Sequence, residues 1–274
     1  EPPGSTISRT EATPTFIGSR APSFEHASSS LWVALSVNLV IAGIKFLAWF
    51  FSRSPSVLSE ALHSLGDSVN SFSLIVGNSL SKRPPDRTHP FGYGLEANLW
   101  TIPACVLLVV FAVVAIWEGW DHLANPAHAL GLEGPIQFFG WELSSFWLSA
   151  LVLVVSIGLE TVAVRRASCA VLEEMGISAN GFLEVYQKAF ANIRHVVAPT
   201  TRFVFYEDVI AWIGAVMALC AITVSYFSVA WGWLPVAQAH YPDVFVSWVI
   251  GLMLIGMAVY LFKHNRGVLT QTAA

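Results

Sequence analysis

Long apolar blocks alternate with short polar breaks along most of this chain. Runs near 31–51, 55–80, 98–119, 143–164, 203–231 and 244–262 each have about the 20 residues that a helix needs to cross a bilayer core. The third is the cleanest, with no charge between Leu99 and Trp117. The second is the weakest, because Ser, Asn, Glu, His and Asp interrupt it throughout. The pattern predicts an all-α integral membrane protein with six transmembrane helices and both termini on one side. Residues 30–266 are expected to form one six-span transmembrane domain that includes an amphipathic loop at 166–202. Residues 1–29, rich in Ser, Thr and Pro with no apolar run, read as a flexible N-terminal arm, and 267–274 as a short tail.

Composition agrees with this reading. Hydrophobic residues make up 55% of the 274 and charged ones 12%, where soluble domains carry about 25% charge. The placement of charge is more telling still. With six spans, the termini and the loops after spans two and four share a side. That side holds Arg9, Arg20, Lys82, Arg83, Arg87, Arg165, Arg166, Lys188, Arg194, Arg202, Lys263 and Arg266, which is 12 of the 14 Lys and Arg. Arg53 lies on the opposite side and Lys45 within the first span. Basic residues remain where insertion begins, so the termini are expected to face the cytoplasm or its organellar equivalent. A net charge of −4 offers no basic surface for nucleic acid, so no nucleic-acid partner is expected. Cys105, Cys169 and Cys220 lie in or beside spans without a CxxC, and read as buried structural thiols. The start at Glu1 fits a removed transit peptide of an organellar protein, or a shortened start.

The chemistry lies in the weak second span. On a helix, Glu60, His63, Asp67 and Asn70 fall within about 80° of one another, which makes one polar stripe. Each charge at the bilayer centre costs about 3 kcal/mol even on insertion scales, so such residues line bundle interiors or watery pathways. His63 and Asp67 stack one turn apart and can reach one cation. Imidazole nitrogen with carboxylate oxygen suits Zn²⁺ best, with Mn²⁺, Fe²⁺ and Co²⁺ behind it. For Asn70 and the serines, hydrogen-bonded helix contacts are the competing reading. A partner is expected on span five, where Glu207 and Asp208 are adjacent. Neighbouring residues point about 100° apart, so one of the two would face His63, unless both acids simply suit a helix N-terminus. Asn38 and Lys45 share a face of span one. Glu160 reads as the end of span four, and Glu118 and Asp121 as the end of span three; interfacial, structural positions are expected for these three acids.

Taken together these residues resemble the cation diffusion facilitator family. The matching run comprises Asn38 and Lys45, then Ser59-Glu-Ala-Leu-His-Ser-Leu-Gly-Asp67 with Asn70. It continues through Ser81-Lys-Arg-Pro-Pro-Asp86, His89-Pro-Phe-Gly-Tyr-Gly94 and Glu96. The acids at 207–208 and the late His264-Asn-Arg266 resemble the mitochondrial zinc transporter 9 branch. The resemblance covers roughly 30–268. It implies a proton-coupled zinc or related divalent-cation transporter, usually dimeric, with His63 and Asp67 as second-span ligands, Glu207 or Asp208 as a third, and water or Asn70 as the weaker fourth donor. It favours the mitochondrial inner membrane, with another organellar membrane as the alternative.

The chain departs from the family pattern in three places. The fifth-span HxxxD is incomplete, since Ala211 follows Glu207 and Trp212 follows Asp208 at four residues. Leu95 stands where Arg is usual, and His264 where that branch tends to have Glu. The chain stops soon after span six, so no C-terminal soluble domain is expected in it.

The function expected is therefore divalent-cation transport, most readily of zinc, by proton-coupled alternating access. Zinc needs a neutral imidazole and ionised carboxylates, so metal and protons compete for one site. No organic cofactor is expected and no enzyme activity, for HxxxD is not the HExxH of metalloproteases. The rival reading is an accessory subunit of a larger mitochondrial, respiratory membrane complex that does not transport. The Trp-rich 138–147 loop and the amphipathic 172–196 stretch are its candidate docking surfaces, although the latter equally reads as an interfacial helix on lipid.

Overall fold

The computed structural model describes residues 24–125, 135–138, 141–196, 199–235 and 238–270. Most of the expected N-terminal arm, the last tail residues and part of the 138–147 loop lie outside these residues. The described chain is dominated by six long helices in the expected places: α1 (Phe24–Ser52), α2 (Pro55–Ser81), α4 (Thr101–Ala124), α5 (Ser145–Met175), α7 (Pro199–Ala230) and α8 (Tyr241–Leu269). Short α3 (Glu96–Leu99) leads into α4, and α6 (Phe182–Asn192) lies between α5 and α7. Five of the long helices are long and apolar enough to cross a membrane. The exception is α2, which is as long as the others but carries the polar stripe. Among the described residues a two-stranded pairing is added to this helical architecture, β1 (Pro135–Phe138) with β2 (Trp141–Ser144), antiparallel as Pro135↔Ser144 and Phe138↔Trp141. Its strands fall in and before the Trp-rich segment expected to be a loop.

Local chemistry sets the helix ends. Ser54 caps α2, its hydroxyl accepting from the Val57 amide, and Pro55 supplies a first-turn residue that needs no donor. Ser144 caps α5 in the same way through the Phe146 amide. Gly176 stops α5 at φ +65°, where its own amide and that of Ile177 return to the carbonyls of Glu173 and Leu172.

The helix that carries span four outruns its apolar run, and the cysteines are not all buried as expected: Cys105 is buried, Cys169 partly so and Cys220 exposed. The apolar run predicts that span four ends near 164, with the 166–202 loop beginning there, but α5 continues to Met175. Arg165 and Arg166 do not stop it, because Ala167 and Val171 keep packing on Ala189, Ile193 and Phe205. Within 172–196, Leu172 and Val185 are buried against the protein, while Phe182, Leu183 and Phe190 remain exposed. The stretch therefore has one face packed on the protein and one apolar face exposed.

The helices alternate in direction, so the end of α1 meets the starts of α2 and α5, with the ends of α4 and α7 and the start of α8 on the same side. The contacts show it: Ser149 donates to the Ala48 carbonyl (3.5 Å), Ser54 to Asp243 (2.9 Å) and Ser247 to the Ala115 carbonyl (2.8 Å). This is called the α1–α2 end below. An apolar cluster of Ala48, Val57, Phe146, Leu153, Ala218, Ile222 and Ile250 packs there beside the buried polar contacts of Ser54 and Ser56 with Asp243, and Phe146 stacks on Tyr226 at 4.2 Å. On the opposite flank α4 and α8 touch at small residues. A Cβ on Gly251 would meet Ile116 Cγ1 at 2.7 Å, and one on Gly119 would meet Trp248 Nε1 at 2.7 Å. The outward faces stay apolar, with Val113, Leu151, Phe245 and Leu252 more than half exposed. That is the surface a bilayer covers.

Candidate metal centre

Successive turns of α2 build a polar ladder through the middle of the bundle. Starting from the α1–α2 end, the rungs are Glu60, His63, Asp67 and Asn70, on the single face that their spacing requires. Glu60 is fully buried and His63 nearly so, while the Asp67 side chain is 19% exposed. The cluster is therefore sealed toward the α1–α2 end and less enclosed toward the other.

His63 Nε2 stands 3.6 Å from Asp67 Oδ2, too far for a hydrogen bond, and no other group in the described residues satisfies it. An imidazole nitrogen left without a partner in a buried site is free to take a cation. Across the interface α7 supplies Glu207. Its Oε1 accepts from Asn70 Nδ2 at 3.2 Å, and its carboxyl lies within hydrogen-bonding reach of Asp67. Two carboxyl groups this close hold either a proton or a cation between them. Asp208 sits near enough to Asp67, His63 and Glu160 to feel their charges, but without a hydrogen bond to any of them. Of the five candidate residues, then, His63, Asp67, Asn70 and Glu207 are brought together and Asp208 lies beside them. Among the described residues no three His, Cys, Asp or Glu side chains close to metal-binding geometry, so the donors are neighbours without converging on one point.

Glu60, the fourth member of the stripe, points elsewhere. Lys45 of α1 donates to Glu60 Oε2 at 2.9 Å, to Ser64 Oγ at 3.0 Å and to Glu160 Oε1 at 3.0 Å. Ser156 adds a bond to Glu160 Oε1 at 2.9 Å. The sequence pattern places Glu160 at the interfacial end of span four. Because α5 runs on to Met175, the residue lies near mid-helix and reaches a buried lysine instead. Hydropathy gives Glu160 and Lys45 no special weight. The signal that could find them is charge complementarity: a lysine inside one span requires an acid inside another.

The loop between α2 and α3 carries the remaining motif. Asp86 accepts from the amides of Thr88 and His89 and from the hydroxyls of Thr88 and Tyr93, at 2.6–2.8 Å. His89 stacks on Tyr93 at 4.1 Å, and Gly92 turns the chain at φ +82°. The hydroxyls of Thr88 and Tyr93, and then the His89 amide, hold the Asp86 carboxyl well below the usual carboxylate range. The same contact pushes the Tyr93 hydroxyl up.

Comparison with known proteins gives this geometry a family. Residues 31–270 match the model of the cation efflux transmembrane domain. Metal tolerance protein C4 of Arabidopsis thaliana is 34% identical over 248 residues, covering 89% of this chain and 47% of that protein. The mitochondrial proton-coupled zinc antiporter SLC30A9 of Xenopus laevis is 30% identical over 187 residues, 68% of this chain and 30% of that protein. The magnetosome protein MamM of Paramagnetospirillum magneticum is 35% identical over 130 residues, 45% of this chain and 40% of that protein. The chain spans less than half the length of these relatives.

Proposed function

The chain belongs to the cation efflux family, and from that premise we propose that it moves a divalent cation, zinc foremost, across an organellar membrane by alternating access. The supporting observation is the meeting of His63 and Asp67 of α2 with Glu207 of α7 inside the bundle. In this reading all six long helices cross the membrane, α2 shielded by its neighbours, and the basic loops favour termini that face the cytoplasm or matrix. The sequence likeness to a mitochondrial antiporter favours the inner membrane of that organelle.

Protons and metal compete for the same donors. A zinc ion entering between Asp67 and Glu207 displaces whatever proton they share and takes the free nitrogen of His63. Asn70 holds Glu207 through its amide and so positions the acid that the metal must reach. Reprotonation from the other side weakens all three ligands together and releases the ion. Mn²⁺, Fe²⁺ and Co²⁺ accept the same donor set and are the alternative cargoes. A homodimer is the expected assembly.

The test is zinc flux into proteoliposomes under an imposed pH gradient. Flux should follow the gradient and vanish in His63→Ala/Asp67→Ala. Undiminished flux in that variant sinks the proposal. A second reading, a non-transporting subunit of a larger membrane complex, is favoured by the lack of a closed ligand cluster among the described residues. It predicts no flux, and co-migration with a large complex at fixed stoichiometry.

A further inference from the structure

Lys45 is fully buried, and each of its three ammonium hydrogens has an acceptor: Glu60 Oε2 at 2.9 Å, Ser64 Oγ at 3.0 Å and Glu160 Oε1 at 3.0 Å. Three helices contribute to this shell, α1 the cation and α2 and α5 its oxygens. Charge does not balance within it, because one ammonium faces two carboxylates. The second oxygen of each carboxylate, Glu60 Oε1 and Glu160 Oε2, is buried without a hydrogen-bond partner in the described residues. A salt bridge that served only to join helices would need a single acid, and even that would gain little over an apolar pair. Two carboxylates and a hydroxyl around one positive centre, with oxygens to spare, is instead the donor set of a divalent-cation site.

Position sharpens the comparison. Glu60 stands one helical turn from His63 on the same face of α2. One turn further toward the α1–α2 end, Val57 belongs to the apolar cluster with Ala48, Ile222 and Ile250. The shell therefore occupies the next rung of the polar ladder, between the candidate metal ligands and that apolar cluster.

We propose that the Lys45 ammonium is a tethered cation that fills a second cation site formed by Glu60, Glu160 and Ser64, and so limits the bundle to one divalent ion held at His63 and Asp67. The proposal rests on the transport reading for the identity of the first site. In this conformation Lys45 stands on the α1–α2 side of His63, so an ion held there meets a positive charge rather than a further pair of free acids. Without the lysine, Glu60 and Glu160 would face each other as two free carboxylates able to draw in about 1 Å to reach the roughly 2.0–2.2 Å of zinc–oxygen bonds.

The experiment is equilibrium binding of radioactive zinc to the full chain in nanodiscs, with folding monitored by size exclusion. Lys45→Met should bind one more zinc per chain than the unaltered protein. Lys45→Met/Glu60→Gln/Glu160→Gln should lose that extra ion, and Lys45→Arg should not acquire it. Lys45→His keeps a nitrogen donor beside the two acids, so it should also gain one ion and serves if the methionine variant does not fold. Unchanged stoichiometry in folded Lys45→Met or Lys45→His overturns the proposal. The unaltered protein separates the two readings. If it binds no zinc while Lys45→Met binds one, the first site fails and the tethered cation stands. If both bind one, the reverse holds.

Discussion

Leu153 and Leu151 sit two residues apart on α5, yet the fold gives them opposite surroundings. Leu153 is fully buried in the cluster with Val57, Phe146, Ala218, Ile222 and Ile250, whereas Leu151 is 62% exposed on the outer face. In water a buried Leu→Ala costs about 3–5 kcal/mol, part of it lost transfer energy and part the cavity left behind. Within a bilayer the transfer part falls away, because lipid tails are as apolar as leucine. The cavity part remains. Three carbons vacate about 80 Å³, and about 24 cal/mol per Å³ gives an upper bound near 2 kcal/mol, reduced toward about 1 kcal/mol as neighbours relax. Leu153→Ala should therefore lose about 1–2 kcal/mol, and Leu151→Ala less than about 0.5 kcal/mol. Equilibrium unfolding in mixed micelles, followed by fluorescence of the 11 tryptophans, reads both. Equal losses at the two positions would refute the assignment of inner and outer faces.

Other expectations follow from single contacts. Gly251→Val should drive its side chain into Ile116 and the Ala112 carbonyl, costing about 1–3 kcal/mol and visible as a lower melting temperature. Asp86→Ala should speed hydrogen exchange at the amides of Thr88 and His89, which lose their acceptor. Since the Asp86 carboxyl is held below its ordinary range, its contribution is complete above the unfolded carboxylate value. It is lost as pH falls through the lower folded value. Exchange protection at those amides should thus survive mild acidification and fail only in strong acid. Asn70→Leu should weaken zinc binding several-fold by releasing Glu207, with the fold intact by size exclusion.

The extent to which the sequence disclosed this arrangement differs by feature, and the reasons are physical. Five of the long helices follow directly from apolar runs, because a bilayer demands length and little else. The sixth, α2, was legible only through its stripe: Glu60, His63, Asp67 and Asn70 recur at helical spacing, which survives even where mean hydropathy is low. The choice between Glu207 and Asp208 could not be made from adjacency, since it depends on the rotation of α7 against α2. The structure gives the Asn70 contact and the approach to Asp67 to Glu207. The partnership of Lys45 with Glu60 and Glu160 was hidden for the same reason, being a matter of which helices are neighbours. The true length of α5 escaped because Arg165 and Arg166 look like a membrane boundary, which ends the apolar run without ending the helix.

The central claim is that α2 and α7 hold one divalent ion between them, with Glu207 as the α7 ligand. Equilibrium zinc binding to the full chain in nanodiscs, comparing Glu207→Gln with Asp208→Asn, tests it most directly. The account predicts at least a tenfold loss of affinity in Glu207→Gln and a smaller loss in Asp208→Asn. Binding by Glu207→Gln that matches the unaltered protein would contradict it.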